Sequence, residues 1–410
     1  MILIPLFILC AIIFVRLKKG LFSAFLLIVA SKSIFDAFWD IKFGPLSMLS
    51  IQGVLITALF FNLLFKRKFL PRIWLRTADI YIVALSLGVI WSLTVKPISF
   101  IEIIIVNVNI YMGFIIIPLL VNTKKQLKQL LIAMMVCGVF PIIISIYQLQ
   151  TGIVFNERET IGLTRYVGFY HDAFPVRFYG LMTILSLLLY QTIFDLKGIF
   201  YKGLMIGLAS GAFISIYAVF SKAAVVIMGS WIILLLIFSK SKLKQFFSLV
   251  VGISVIFIVF GDVVLSNIEQ LFSKEVGYQT GEVADARYAL AGRGYIWEDY
   301  WNFWANEQLL FFQWFGDGIN RPVHNEFFRI LLVNGILGLL LLILFLLKSV
   351  SNIFKVYKKI RVFSMMILTM YLVDCVGLVP GTYYYYNILI WGIFGLLILN
   401  PNLFSKYNLT

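Results

Sequence analysis

A succession of long apolar segments constrains this chain more than any other feature. An apolar run of about 20 residues can cross a bilayer as a helix, and lipid offers the backbone no partner outside the helix. Thirteen such runs are present, at 1–15, 21–39, 45–65, 77–95, 98–121, 129–148, 176–195, 203–220, 222–239, 245–264, 327–347, 362–380 and 383–400. The sequence therefore predicts an all-α, polytopic membrane helical bundle with 12–13 transmembrane helices, in which residues 1–410 form a single integral membrane domain. The lower count applies if the runs on either side of Ser221 form one kinked helix.

The composition excludes a soluble protein. Hydrophobic residues make up 61% of the chain and charged residues 13%, whereas soluble domains have about 25% charged residues. The net charge of +15 is typical of cytoplasmic loops that follow the positive-inside rule, and no soluble basic domain is present to bind nucleic acid. The three cysteines lie in apolar runs, and the two histidines have no His or Cys at ligand spacing. We therefore expect no disulfide framework, no metal site and no cofactor.

The charges of the loops predict their orientation. Lys and Arg clusters fall in every second gap, whereas segment 265–325 has eight acidic and four basic residues. Because basic loops remain in the cytoplasm, the outer loop 149–175 and the large outer loop 265–325 are predicted to lie outside. A long polar loop that enters a membrane helix is also a natural place for a functional site.

Two arginines in these outer loops are candidates for binding phosphate. Arg165 lies in the sequence TRYVGFY and Arg293 in GRGYIW. A guanidinium binds phosphate through two hydrogen bonds and keeps its charge at any relevant pH. The plainer interpretation of each is an interface arginine that reaches lipid headgroups. Two arginines in the two longest outer loops, each flanked by glycine and aromatic residues, strengthen the phosphate interpretation and leave both interpretations open.

Further polar residues cluster where the large outer loop ends. His324 is placed to act as a general base, because a neutral imidazole takes a proton from a hydroxyl; a helix cap is the plainer role. Asn325 and Glu326 extend the same polar tip, and Arg321 adds a cation just before it. Lys222, at the outer end of another helix, is predicted to reach the same cavity as the arginines. These residues complete the predicted substrate-binding set.

Several charged and small residues lie inside the apolar runs. Lys32 and Asp36 are four residues apart and are predicted to pair on one helix face. Gly335 and Gly338 are predicted to open one face of the helix after the large loop for close packing. These interpretations concern structure rather than chemistry.

The large outer loop is also rich in tryptophan. Its polar residues exclude a membrane-spanning helix, and its aromatic residues exclude a solvated linker. The roughly helical spacing predicts an amphipathic helix at the membrane interface, where tryptophan is enriched. The residues are Trp297, Trp301, Trp304 and Trp314.

The pattern HN-x9-GxxG that begins at His324 resembles the signature of the O-antigen ligase and O-antigen polymerase family. The GRGYIW sequence around Arg293 and the FGDG turn at 315–318 resemble the same region of that family. The RxxGxY sequence from Arg165 resembles its other outer-loop arginine motif, and the Ser-Lys pair at 221–222 resembles a helix start often seen there. After Tyr170 the chain departs from the family, because His171 and Asp172 replace an asparagine-containing run.

This resemblance implies a metal-independent membrane glycosyltransferase. Such an enzyme takes a glycan linked to undecaprenyl pyrophosphate at the extracytoplasmic face of the bacterial inner membrane and transfers it to an acceptor sugar hydroxyl. Arg165 and Arg293 would then bind the pyrophosphate leaving group, and His324 would activate the acceptor. The implied partners are the lipid-linked donor, the sugar acceptor and the bilayer, with or without a chain-length regulator.

Three functions share these features. A polymerase moves a growing chain of O-antigen, capsule or exopolysaccharide onto a new lipid-linked repeat unit. A ligase moves the finished chain onto a lipid-A core or a protein. A flippase, a transporter of the same lipid-linked sugar, would favour inverted repeats and midplane charges, and neither is clear in the sequence. We favour the polymerase because such enzymes are numerous and diverse.

Overall fold

The computed structural model of this protein describes residues 3–43, 46–64, 70–95, 97–194, 198–238, 265–285, 287–288 and 292–404. The longer helices are α1 (Leu3–Lys19), α2 (Leu21–Ala37), α3 (Met48–Leu63), α4 (Arg72–Ser86), α5 (Pro97–Gly113), α6 (Lys124–Thr151), α7 (Ala173–Ile193), α8 (Ile199–Ala218), α9 (Lys222–Phe238), α10 (265–280), α11 (Arg293–Asn302), α12 (Leu310–Phe315), α13 (Glu326–Phe354), α14 (Lys358–Gly377) and α15 (Tyr384–Leu399). Shorter helical turns cover Val89–Trp91, Ser92–Val95, Ile116–Leu120, Phe303–Glu307, Pro380–Thr382 and Pro401–Phe404. Two antiparallel strand pairs join Lys42–Phe43 to Leu46–Ser47 and Glu159–Thr160 to Leu163–Thr164.

The helices coincide with the apolar runs of the sequence. Twelve of the thirteen runs form helices, and the run at 245–264 lies outside the described residues. Within the described part of the chain, six helices are long and apolar enough to cross a membrane: Arg72–Thr94, Lys124–Thr151, Ala173–Ile193, Ile199–Ala218, Glu326–Phe354 and Ile360–Gly377. The predicted fold class, an all-α polytopic membrane bundle, is confirmed.

Aromatic side chains form the centre of the bundle. Helix α13 packs along α4, and α15 packs against α5. Between them, the rings of Phe114 and Trp391 stack with their centroids 5.5 Å apart, and Tyr81 stacks on Phe345 at 4.3 Å. Aromatic pairs add to the stabilisation that burial alone provides. This cluster therefore fixes α13 and α15 relative to α4 and α5.

The predicted pair of Lys32 and Asp36 is confirmed on α2. Both side chains are buried and form an ion pair. The Tyr179 hydroxyl donates to the second carboxylate oxygen of Asp36, and the Lys32 ammonium lies 4.4 Å from the centre of the Tyr385 ring. Buried charges need such partners because desolvation is costly. The pair joins α2, α7 and α15.

Glycines let other segments approach α13 closely. Gly335 has φ +68° and interrupts the helix, and a Cβ there would lie 2.3 Å from the carbonyl carbon of Trp314. At Gly338 a Cβ would lie 3.4 Å from the carbonyl oxygen of Ala84 on α4. The prediction that these glycines permit close packing is confirmed. The segment that packs on Gly335 is the large outer loop rather than a membrane helix.

The four tryptophans of the large outer loop do not share one helix, so that prediction is wrong. Trp297 and Trp301 lie on α11, and Trp304 lies in the π-helical turn that continues it. The chain leaves the helical conformation at Gln308, where ψ is 134°. Trp314 therefore belongs to a separate helix, α12.

The two outer loops contact each other. The Gln270 side chain donates to the Ile161 carbonyl at 2.9 Å, and Leu271 packs with Leu163 and Phe220. Both loops therefore lie on the same face of the bundle, which we call the outer face.

Candidate functional site

A cavity of about 360 Å³ lies where the two outer loops meet α7, α9 and α14. Four basic side chains from four different parts of the chain line it: Arg165, Arg177, Lys222 and Arg293. We call this space the arginine cavity. Three of the four, Arg165, Lys222 and Arg293, were candidates in the sequence, where the first and the last are 128 residues apart. The fold is what brings them together.

Arg165 is positioned by a two-residue hairpin turn. Ile161 and Gly162 have φ values of 51° and 74°, which fit the turn that matches the twist of paired strands. A β-branched residue is strained at positive φ, and such strain is often found at functional sites. The Arg165 Nη2 donates to the Phe220 carbonyl at 3.3 Å, and its Nε is buried without a partner among the described residues. Arg165 therefore has a buried donor that no described group satisfies.

Arg293 is the first residue of α11 and follows Gly292, which has φ +77°. Its guanidinium lies against the last turn of α14, since a Cβ at Gly377 would lie 3.0 Å from Nη1. Among the described residues, Arg293 has no hydrogen-bond or ion-pair partner. Burial and the positive charge of Arg177 lower the pKa of Arg293. An arginine stays charged under these conditions, so the site holds a partly desolvated cation.

Arg177 is a cavity residue that sequence reasoning missed. It lies inside a predicted membrane segment, where its side chain is buried and paired with Asp374 of α14. Its Nη1 also donates to the Ser221 hydroxyl at 3.3 Å. Opposite charges in two membrane segments are rare and were the available signal. Arg177 adds positive potential to the cavity, while Asp374 balances its charge.

Lys222 lines the cavity but is paired. Its ammonium lies 2.6 Å from each carboxylate oxygen of Glu275 on α10. The pair also joins the large outer loop to the start of α9. Lys222 therefore differs from Arg165 and Arg293, whose cavity-facing charges have no carboxylate partner among the described residues.

His324 lies beside the cavity rather than in its wall. Its side chain is exposed and its φ is +51°. Partial burial and the positive charge of Arg293 lower the pKa of His324, and the carboxylate of Asp172 opposes this change. The imidazole is therefore neutral near pH 7, which is the state that accepts a proton.

Asn325 fixes the chain just after this histidine. Its Oδ1 accepts from the Phe328 backbone at 3.0 Å and caps α13, as short polar residues commonly do at this position. Its Nδ2 donates to the carbonyl of Val376, a cavity residue, at 3.4 Å. Asn325 therefore joins the histidine segment to the wall of the arginine cavity.

The remaining two candidates lie outside the cavity wall and are paired. Glu326 is fully buried and accepts from Arg329 at 2.6 and 3.0 Å. Arg321 donates to Asp317 at 2.6 Å and its guanidinium lies 4.6 Å from the centre of the Phe303 ring. Both side chains therefore stabilise the fold around the site, and neither faces the cavity.

The arrangement favours an anion. The pairs Arg177–Asp374 and Lys222–Glu275 balance themselves, which leaves two cations, Arg165 and Arg293, and one carboxylate, Asp172, in the cavity wall. Burial lowers the pKa of Arg165, and Arg293 and Arg177 lower it further against the opposing effect of Asp172. Two desolvated cations near each other are stabilised by an anion between them. The buried, unpartnered Nε of Arg165 points to the same conclusion.

The chain matches no known family model. No curated protein is significantly similar to it.

Proposed function

We propose that this protein polymerises a surface polysaccharide by transferring a glycan from undecaprenyl pyrophosphate to an acceptor sugar hydroxyl. The observation that carries the proposal is the pair of arginines, Arg165 and Arg293, which line one cavity without a carboxylate partner among the described residues. A pyrophosphate diester is an anion, and Arg165 and Arg293 leave an excess of positive charge in the cavity beyond the Asp172 carboxylate in its wall. The resemblance of the surrounding motifs to O-antigen polymerases and ligases supplies the substrate class.

The reaction requires two roles from the protein. The acceptor oxygen attacks the anomeric carbon of the donor sugar, the bond from that carbon to the pyrophosphate oxygen breaks, and undecaprenyl pyrophosphate leaves. Arg165 and Arg293 neutralise the charge that develops on the leaving group, which is the main catalytic effect available to preorganised cations. His324, neutral because its pKa is lowered, takes the proton of the acceptor hydroxyl.

The distribution of charge supports a location for the site. We propose that the outer face is extracytoplasmic and that the protein lies in the bacterial inner membrane. The Lys and Arg clusters fall in the loops that alternate along the chain with the two outer loops, and basic loops remain in the cytoplasm.

Deletion of the protein in its natural host tests the function. Surface glycan is separated on gels, and lipid-linked glycan is extracted. Polymerase activity predicts single repeat units still attached to their final anchor. Long chains stranded on undecaprenyl pyrophosphate would instead identify a ligase, and repeat units trapped in the cytoplasmic leaflet a flippase. Either result would overturn the proposal.

Substitutions then test the site. R165A, R293A and H324A are expected to reproduce the deletion phenotype at normal membrane levels of the protein. The matched control is R287A, which removes an arginine from the same loop that is exposed and paired with Asp285 and Glu298. We expect R287A to make polymer of normal length. Full activity of the three site variants would contradict the assignment.

A further inference from the structure

The arginine cavity contains one carboxylate that has no cation paired with it. Asp172 lies in the cavity wall together with Arg165 and Arg293. Its Oδ1 accepts from the Phe174 backbone at 2.6 Å and caps α7. Its other oxygen has no hydrogen-bond or ion-pair partner among the described residues. The resemblance to O-antigen polymerases supplies no role for Asp172, because the chain departs from that family after Tyr170.

Neither the cap nor the binding of an anion requires this negative charge. Asparagine and serine cap a helix about as well as aspartate does. A cavity that only binds an anion is weakened by a carboxylate in its wall, because like charges repel each other. The charge of Asp172 therefore fits a group on the ligand that is positive, or becomes positive during the reaction.

Asp172 lies near both of the groups on which the proposed reaction depends. Burial lowers the pKa of Arg165 and of His324, and the Asp172 carboxylate raises both. Because Coulomb interactions weaken with distance, a carboxylate that acts on both groups lies close to each. In a single displacement the leaving group and the acceptor occupy opposite sides of the anomeric carbon. A carboxylate near Arg165 and His324 is therefore placed beside the sugar ring of the donor.

The chemistry of glycosyl transfer gives such a carboxylate a function. The bond from an anomeric carbon to its leaving group breaks through an oxocarbenium-like transition state, in which positive charge develops on the sugar ring. Groups fixed in place beforehand stabilise a charge that develops next to them. Arg165 and Arg293 face the negative charge on the leaving group, and a carboxylate beside the ring faces the positive one.

We propose that Asp172 is a further catalytic residue, whose carboxylate stabilises the oxocarbenium-like transition state of the donor sugar. The inference rests on the proposed function and adds the residue that faces the sugar ring. Asp172 forms no covalent bond in this step. The breaking bond leaves its electron pair on the pyrophosphate oxygen, the acceptor oxygen bonds to the anomeric carbon, and the acceptor proton goes to His324.

Replacement of Asp172 by asparagine separates this role from binding. D172N keeps the cap of α7 and removes the charge. The full-length protein in nanodiscs is given the undecaprenyl-pyrophosphate-linked repeat unit extracted from the deletion strain. We expect the single-turnover transfer rate to fall roughly 100-fold, whereas the Kd for this donor stays unchanged or decreases, because a negative charge beside an anion is lost. Measurement at about pH 8 keeps His324 neutral in both proteins.

A smaller side chain at the same position gives an independent measurement. D172S also keeps the cap, and it leaves room in the cavity for a small carboxylate. Formate should restore part of the transfer rate of D172S and should not raise that of the wild type. The matched control is D299N, because Asp299 is exposed on α11 and does not line the cavity. We expect D299N to transfer at the wild-type rate with or without formate.

The outcomes distinguish this inference from the proposed function. A normal transfer rate in D172N, or no effect of formate on D172S, would overturn the inference and leave the proposed function intact. A loss of donor affinity that accounts for the loss of rate would also overturn it, because Asp172 would then only bind the donor. Loss of folded protein in both variants would limit Asp172 to the cap of α7 and overturn it as well. Absence of transfer by the wild type would instead contradict the proposed function.

Discussion

The arginine cavity and the buried pair Glu326–Arg329 both contain arginine guanidinium groups. The guanidinium is paired with a carboxylate in the second region, whereas those of Arg165 and Arg293 in the first are unpaired among the described residues. Arg329 is buried, and both of its hydrogen bonds to Glu326 are satisfied within one turn of α13. Arg165 and Arg293 are half-buried and have no carboxylate partner among the described residues. Burial and a nearby cation lower the pKa of Arg293, which marks a charge that the fold leaves unbalanced.

The difference separates structural arginines from functional ones. A paired buried arginine contributes to folding, and its removal leaves an uncompensated partner. An unbalanced arginine costs stability and is retained where a ligand supplies the missing charge. Substitutions at the two regions should therefore affect different observables, stability in one case and activity in the other.

The largest expected effect is on folding, at Glu326. E326A leaves the Arg329 guanidinium buried without its partner, which costs about 3–5 kcal/mol. We expect little protein in the membrane and a strongly lowered Tm in detergent. The double variant E326L/R329M removes both charges and should recover most of the Tm. Normal levels and Tm for E326A would show that this pair is not structural.

The next effect is on activity alone, at Arg293. Loss of one preorganised charge at a leaving group typically lowers the rate roughly 100- to 1,000-fold. R293A should show this loss in a transfer assay with an unchanged or higher Tm, because it breaks no ion pair among the described residues and two cations no longer repel each other. R293K should recover part of the activity. A Tm that falls together with activity would place Arg293 with Arg329 as a structural residue.

Arg177 combines features of both regions, because it lines the arginine cavity and also forms a buried ion pair with Asp374. R177A leaves Asp374 buried and unpaired, so it should fail to fold. R177M/D374L removes the pair, should fold, and should lower activity roughly tenfold to 100-fold through the loss of one charged hydrogen-bonding group near the substrate. Wild-type activity in the double variant would limit Arg177 to a structural role.

The smallest effect is a change in pH dependence. A general base must be neutral, so activity falls as pH decreases through the pKa of His324. Asp172 raises that pKa against the lowering effects of burial and Arg293. D172N keeps the cap of α7, where Asp172 accepts from the Phe174 backbone at 2.6 Å. The acid limb of the pH–rate profile should therefore move to lower pH, and a move to higher pH would contradict the role of His324.

Much of the fold could be predicted from the sequence, because membrane helices leave a strong local signal. Twelve apolar runs became helices, and the i to i+4 spacing of Lys32 and Asp36 was enough to predict their pair. The tryptophan-rich segment was harder, since the break at Gln308 has no proline or glycine to mark it. Helical spacing alone therefore predicted, wrongly, that Trp314 lies on the same helix as the other three tryptophans.

The site was only partly predictable for a different reason. Arg165 and Arg293 were marked by flanking glycine and aromatic residues in polar loops. The pairing of Lys222 was not predictable, because its partner Glu275 lies on another helix and ion pairs across helices depend on tertiary packing. The pairing of Glu326 had a local signal, because Arg329 follows three residues later on the same helix. Arg177 and Asp374 lie within two apolar runs, where opposite charges are rare, and this signal was missed.

Binding of inorganic pyrophosphate to the purified protein, measured by titration calorimetry at low salt, tests the central claim most directly. The wild type should bind pyrophosphate, and R165A/R293A should fold with an unchanged Tm but bind at least about 100-fold more weakly, since two charged contacts are lost. Pyrophosphate affinity that is the same in the wild type and in the folded double variant would contradict the account.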